Sequence, residues 1–239
     1  MTPSGDKATR ALRGEASASA RGFFVTIEGI EGAGKSTLAE ALAARLREAG
    51  REVVLTREPG GTSVGDAIRK ILLESGEFMS DRAELLLFEA SRAQHVDGVI
   101  APAIQRGAVV ICDRFTDSSI AYQGGARKID SDTVASLNEF AVRGVTPDMT
   151  ILLDLPAEVG LARQKGVDRI SAEGLAFHES VRQGYLAIAR AEPGRVVVLD
   201  AAESPDVVVE RAWEAIALRY GPSSLLRQAQ DAQDGPTQG

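Results

Sequence analysis

Residues 23–37 read Phe23-Phe24-Val25-Thr26-Ile27-Glu28-Gly29-Ile30-Glu31-Gly32-Ala33-Gly34-Lys35-Ser36-Thr37. An apolar, β-branched run enters a glycine-rich turn, after which Leu38, Leu42 and Leu46 repeat at helical spacing before Gly50. Gly29 and Gly34-Lys35-Ser36 fit the phosphate-cradling pattern in its required context of strand, loop and helix. Backbone N–H groups and a helix N-terminus converge on phosphates in such a loop, the lysine reaches the terminal ones, and the serine hydroxyl can ligate Mg²⁺. The stretch predicts an ATP-type triphosphate site formed by Gly29, Ile30, Glu31, Gly32, Ala33, Gly34, Lys35, Ser36 and Thr37.

Four more short apolar runs follow, at residues 52–56, 108–112, 149–154 and 195–199, each separated from the next by helical patterns. Continuous apolar strands alternating with helices imply α/β architecture with a five-stranded parallel sheet buried on both faces. Helices are expected where Ile68 and Leu72 repeat, where Leu85, Phe88, Arg92 and His95 run toward Pro102, and where Val134, Leu137 and Ala141 precede Gly144. Ser204-Pro205 reads as a cap followed by a first-turn proline. A doubly wound sheet binds ligands at the carboxyl ends of its strands. Those ends carry Arg57-Glu58-Pro59-Gly60-Gly61-Thr62, Asp113-Arg114 and Asp154, all expected to converge on one crevice.

The 239-residue chain carries a net charge of −7, which disfavours nucleic-acid binding because polyanion recognition needs a basic face. Anionic ligands must meet a local cluster of Arg and Lys. No apolar run approaches the ~20 residues that cross a bilayer, so no membrane partner is expected. A lone cysteine, Cys112, excludes an internal disulfide framework; it reads as a small buried hydrophobe and favours a cytoplasmic location. One folded domain is placed at residues 22–220, between disordered extensions at 1–21 and 221–239. The N-terminal extension lacks the apolar core of a secretory signal, and Asp6 and Glu15 argue against a transit peptide.

The loop motif, Thr56 to Thr62, Phe88 to Arg92, Asp113-Arg114-Phe115 and Ala121-Tyr122-Gln123-Gly124 together resemble the bacterial thymidylate kinase family over roughly residues 22–220. The resemblance implies transfer of the ATP γ-phosphate to dTMP, giving dTDP and ADP in dTTP biosynthesis. It also implies a P-loop NTPase sheet of order 2-3-1-4-5, a mobile lid at about residues 163–170, and a homodimer. A phosphate acceptor is already anionic, so no general base is needed and catalysis rests on cations and positioning. Lys35 and Mg²⁺ at Ser36 would cover the donor phosphates. Arg114, with Arg57 or Arg69, would hold the acceptor phosphate, and Asp113 would hold a metal-bound water or else orient Arg114.

Glu31 within the loop resembles the form of the family that lacks a loop arginine, so a cation must come from elsewhere. Arg163 and Arg169 in the lid segment are expected to close over the transferred group, with Lys165 standing where the family pattern has arginine. For the base, similarity implies that Phe88 stacks, Arg92 donates to O4, Ser119 or Gln123 meets N3, and Tyr122 crowds the 2′ position against ribose. On their residue types alone, Phe88 reads as core and Arg92 as a surface charge. His95 and His178 have no metal-ligand spacing and read as surface or packing residues, and Trp213 as core. The segment after the last strand is too generic for adenine contacts to be named. Two rivals remain: another small-molecule phosphotransferase, such as a kinase for a different nucleoside monophosphate or for a deoxynucleoside, the latter with Glu58 as the available base, and a P-loop switch or partition ATPase, against which stands the lack of an Asn-Lys-x-Asp guanine motif.

Overall fold

The computed structural model describes residues 21–164, 166 and 168–221; the expectations for Lys165 and, apart from Arg21 and Gly221, for the two extensions lie outside the described residues. The chain runs β1 (Phe23–Gly29), α1 (Lys35–Glu48), β2 (Val53–Arg57), α2 (Ser63–Glu74), α3 (Asp81–His95), α4 (Ala101–Gln105), β3 (Val109–Asp113), α5 (Thr116–Ser119), α6 (Ser131–Val142), β4 (Met149–Asp154), α7 (Ala157–Arg163), α8 (Leu175–Ala191), β5 (Val196–Asp200) and α9 (Pro205–Tyr220). Two π-helical turns, Val96–Ile100 and Ile120–Ala126, prolong α3 into α4 and α5 toward α6.

The strands form one sheet of order β2-β3-β1-β4-β5, parallel throughout, as the sequence implies. Alternate residues of β1 enter two different cores. Phe24 joins Val110, Cys112 and Phe115 beneath Val96 and Ile100, while Val25 and Ile27 join Val109 and Ile111 beneath Leu38, Leu42 and Leu46 of α1. The central strands β3, β1 and β4 are buried on both faces almost throughout, whereas the edge strands β2 and β5 are partly exposed, with Leu55 and Val198 open to solvent, so the expected double burial holds only at the centre of the sheet. Trp213 is fully buried in α9, with the Arg45 guanidinium 4.6 Å from its ring.

Some local expectations change. Ser204 holds the N-cap position of α9, yet its side chain makes no capping bond. Helix α6 ends on Arg143 in the left-handed region at φ 48°, one residue before Gly144. Of the two alternatives left open for His95 and His178, surface or packing, the structure takes packing: both are wholly buried.

Strand register puts the polar ends together. Arg57 pairs with Asp113 and Asp113 with Ile27. The Arg114 N–H then donates to Ile27 O at 3.0 Å, and the Glu58 N–H to Asp113 O at 2.9 Å. Asp154 lies beyond β1, where Arg182 of α8 grips it by two bonds of 2.7 and 3.0 Å. It therefore stays out of the crevice, contrary to the sequence expectation.

Candidate active site

The phosphate loop departs from the carboxyl end of β1 at Gly29 and delivers the chain into α1 at Lys35. Gly29, Gly32 and Gly34 all have positive φ, so the loop needs residues without a Cβ. At Gly32 space is closed as well: a Cβ would lie 2.0 Å from Gly160 O of α7. Lys35 curls back, its ammonium donating to Ile30 O at 2.7 Å. Burial, then Arg114, pushes that ammonium down to about 8, as desolvation of a cation predicts.

A cleft of about 240 Å³ opens between the loop and the ends of β2 and β3. Lys35, Arg57, Arg69 and Arg114 bring four cations to it, and Leu73, Phe88 and Ile170 give it an apolar side. Ser119 at the end of α5 and Tyr122 and Gln123 of the turn that follows also line it. Arg69 donates to Pro59 O at 2.9 Å, fixing it across the Pro-Gly-Gly turn. Thr62 has a plain structural role, its hydroxyl capping α2 at Gly65 N.

Arg114 adopts φ 74°, unusual for a side-chain-bearing residue. Its guanidinium donates to Glu31 Oε1 at 2.8 Å and to Tyr185 Oη at 3.1 Å. Tyr122 Oη donates to both Glu31 oxygens, and His178 Nδ1 stands 3.2 Å from Glu31 Oε2, close but not aligned as a hydrogen bond. Burial opposes the charge on Glu31, yet Arg114, His178, Lys35 and Tyr122 together hold its carboxyl well below the usual range. Glu31 thus replaces a loop cation by anchoring one from β3.

Behind Arg114 lies a carboxylate whose role the sequence did not reveal. Glu28 is fully buried and accepts from Phe115 N at 2.7 Å, Ser118 Oγ at 2.7 Å and Tyr185 Oη at 2.9 Å. Burial and neighbouring Asp117 push it up to about 7. A charge-bearing residue in an otherwise apolar strand was the available signal.

Arg92 is neither surface charge nor lining residue. It is 1% exposed and bonded to Glu58, Glu89, Ser119, Asn138 and Phe115 O at 2.6–3.0 Å. Burial opposes its charge, but Glu58 and Glu89 raise its pKa overall. Glu89, one helical turn earlier, could have been found by i,i+3 spacing. Glu58 lines the cleft but is held from behind: Arg92 Nε and His95 Nδ1 take its two oxygens at 2.8 and 3.0 Å. A carboxylate tied to a guanidinium is a weaker base for a 5′-hydroxyl, which counts against a deoxynucleoside kinase.

Ser36 Oγ donates to Asp113 Oδ2 at 2.6 Å. No group of three or more His, Cys, Asp and Glu able to hold a metal occurs among the described residues. One hydroxyl and one carboxylate, both hard oxygen donors, suit a Mg²⁺ that keeps several waters and takes the rest from phosphate oxygens.

The two lid arginines diverge. Arg163 ends α7, donates to Ala201 O at 2.9 Å, and lines a second cavity with Gly32, Ala33, Gly34 and Thr37. Arg169 donates to Leu72 O at 2.9 Å and to Glu84 Oε2 at 2.7 Å. Neither lines the cationic cleft; helix α7 carries the first to the loop after β5, and a buried carboxylate takes the second.

The family model described as thymidylate kinase matches residues 27–212. The thymidylate kinase of Pseudomonas putida (strain W619) is 54% identical over 198 residues, spanning 81% of this chain and 95% of its own length. That of Synechococcus sp. (strain JA-2-3B'a(2-13)) is 50% identical over 206 residues, 86% of this chain and 100% of its own. A crystal structure of thymidylate kinase from Ehrlichia chaffeensis aligns with a TM-score of 0.69 at 33% identity, covering 82% of this chain and 99% of that one. With the phosphate loop, sheet order and cationic cleft in agreement, the chain belongs to the thymidylate kinase family.

Proposed function

We propose that this chain transfers the γ-phosphate of ATP to dTMP, with the acceptor seated in the cleft that Lys35, Arg57, Arg69 and Arg114 share with Phe88. The observation that carries this reading is a single cleft lined both by Lys35, Arg57, Arg69 and Arg114, which can meet phosphates, and by the Phe88 ring, on which a base can stack. Lys35 covers the donor phosphates. Arg114, aimed by Glu31 and Tyr185, and Arg57 or Arg69 hold the acceptor phosphate in line. Phe88 stacks on the base, while Ser119 or Gln123 meets N3 and Tyr122 crowds the 2′ position. Arg92 does not reach O4 itself; from behind the wall it holds the Ser119 hydroxyl at 2.9 Å, and its carboxylate partners fix its plane.

Ser36 and Asp113 would hold Mg²⁺, which when bound supplies charge neutralisation on the phosphate oxygens. Arg163 belongs with the donor nucleoside, since it flanks the outer side of the phosphate loop. The segment at about 163–170 serves as lid, with Arg169 anchoring its exit. No helix among the described residues is long and apolar enough to cross a membrane. Homodimer formation is supported by exposed apolar residues on adjacent helices: Val64 and Ile71 of α2, Leu86 of α3 and Phe140 of α6. Sedimentation of the Phe140→Glu variant should show monomer where the wild type sediments as a dimer; an unchanged profile removes this face from the interface.

The direct test is ADP release from MgATP with the monophosphates of thymidine, deoxyuridine, deoxycytidine, deoxyguanosine and deoxyadenosine, with thymidine and no acceptor as controls. Fast turnover with dTMP and little without acceptor is expected. Equal release in every tube would mean an ATPase and would withdraw the acceptor roles of Phe88, Arg92 and Arg114.

A further inference from the structure

Glu84 sits in the first turn of α3 and is 1% exposed, yet its carboxylate gathers groups from two other parts of the chain. Oε1 accepts from Gln123 Nε2 at 2.8 Å. Oε2 accepts from Arg169 Nη2 at 2.7 Å and Arg127 Nη2 at 3.2 Å. Arg127 is shared with Glu173 at 2.6 Å and Asp81 at 3.6 Å. Burial opposes the charge on Glu84, but Gln123, Arg169 and Arg127 outweigh it and hold its pKa below the ordinary value.

An ionised carboxylate only accepts hydrogen bonds, whereas an amide offers a donor on one branch and an acceptor on the other. Gln123 is 1% exposed and lines the cationic cleft. Its NH₂ branch must therefore face Glu84, because the reversed amide would bury two oxygens against each other. The carbonyl branch is what remains for a ligand. We propose that Glu84 is a positioning residue for base selection: it fixes the Gln123 amide so that an acceptor faces the cleft, favouring a pyrimidine whose N3 carries hydrogen over cytosine, whose N3 is itself an acceptor. This rests on the reading of the cleft as the seat of the dTMP base.

The anchoring is firm because Glu84 is held from its other side. Arg169 also donates through its backbone N to Leu73 O and through Nε to Leu72 O, so its guanidinium is fixed on α2. In Glu84→Gln the new amide can donate as well as accept, and Gln123 loses its preferred orientation.

The experiment compares kcat/KM for dTMP and dCMP in the wild type, Glu84→Gln, Gln123→Ala and the double variant, each checked for folding by thermal denaturation. Glu84→Gln is expected to lower the dTMP-to-dCMP ratio about tenfold, the scale of one misdirected hydrogen bond, mainly through KM for dTMP. In the Gln123→Ala background the same change should leave the ratio where it is. An unchanged ratio in folded Glu84→Gln, or an equal fall in both backgrounds, overturns the proposal alone. If Gln123→Ala itself leaves the ratio intact, the seating of the base beside Gln123 fails and the proposal with it. Should Glu84→Gln not fold, Glu84→Asp keeps the charge for Arg127 and Arg169 while withdrawing the acceptor, and the same comparison applies.

Discussion

Arg114 Nη2 lies 2.8 Å from Glu31 Oε1, so the end of β3 and the phosphate loop are joined by an ion pair whose side chains are each less than a fifth exposed. Removing the guanidinium takes a positioned cation from the cleft and strips Glu31 of its main partner. Arg114→Ala should lower kcat by at least about 10², the scale of a lost transition-state contact. Arg114→Lys should recover only part, since an ammonium cannot reproduce the planar fork toward Glu31, Ser118 and Tyr185. Near-normal turnover in Arg114→Ala would contradict its role.

Lys35 offers a proton count. Its ammonium is pushed down to about 8 by burial and by Arg114, so above that pH much of the free enzyme carries a neutral amine. Phosphates arriving with ATP restore the charge. Calorimetry in buffers of different ionisation enthalpy should therefore show proton uptake on ATP binding at about pH 9 and little from this group at about pH 6.5. Lys35→Ala should abolish the uptake and nearly all turnover; uptake that persists in the variant assigns the proton elsewhere.

Glu28 should make stability fall as pH rises. Its folded value, pushed up from 4.5 to about 7 by burial and Asp117, means the native chain binds a proton in that window that the unfolded chain has released. Stability attributable to the group is present below pH 4.5 and lost as pH rises through 7, on the order of 3 kcal/mol. Denaturant titrations across this range should show a shallower decline in Glu28→Gln. A parallel decline would place the effect on other groups. The variant should also lose activity, because Ser118 and Tyr185, the hydroxyls beside Arg114, both bond to Glu28.

Deoxyuridine monophosphate should be used weakly. The methyl group that separates it from dTMP is worth ~1–3 kcal/mol against an apolar wall such as Leu73, Phe88 and Ile170 offer, so kcat/KM should drop roughly 10- to 200-fold. Equal use of the two acceptors would sink the apolar notch.

Strands and phosphate loop were legible because each rests on a local rule: an unbroken β-branched run for a doubly buried strand, glycines at fixed offsets for a turn with positive φ. The π-helical turns at Val96–Ile100 and Ile120–Ala126 were not, since one extra residue per turn leaves apolar spacing too similar to an α-helix. Single side chains at strand ends, such as Arg114 and Asp113, could be placed from topology alone. Buried polar networks could not. Glu84, Gln123, Arg127 and Arg169 are brought together only by the packing of α3, the turn after α5 and the chain before α8, and no periodicity links their positions. For the same reason the surface reading of Arg92 failed: one of its two carboxylate partners, Glu58, stands on another element.

The contact between Gly32 and Gly160 bears on how any mutational survey of the loop should be interpreted. A methyl group at position 32 would collide with the backbone of α7 whether or not a nucleotide were present. Intolerance there would report the docking of a helix against the loop, and such a defect should be visible as lost folding yield before any catalytic assay is run. Of the glycines in this motif, Gly34, where a Cβ meets nothing within 4 Å, is the one whose replacement probes backbone conformation free of steric exclusion. Two neighbours in one signature thus answer to different selective forces, one imposed by the protein's own interior and the other by the path the chain takes around its ligand.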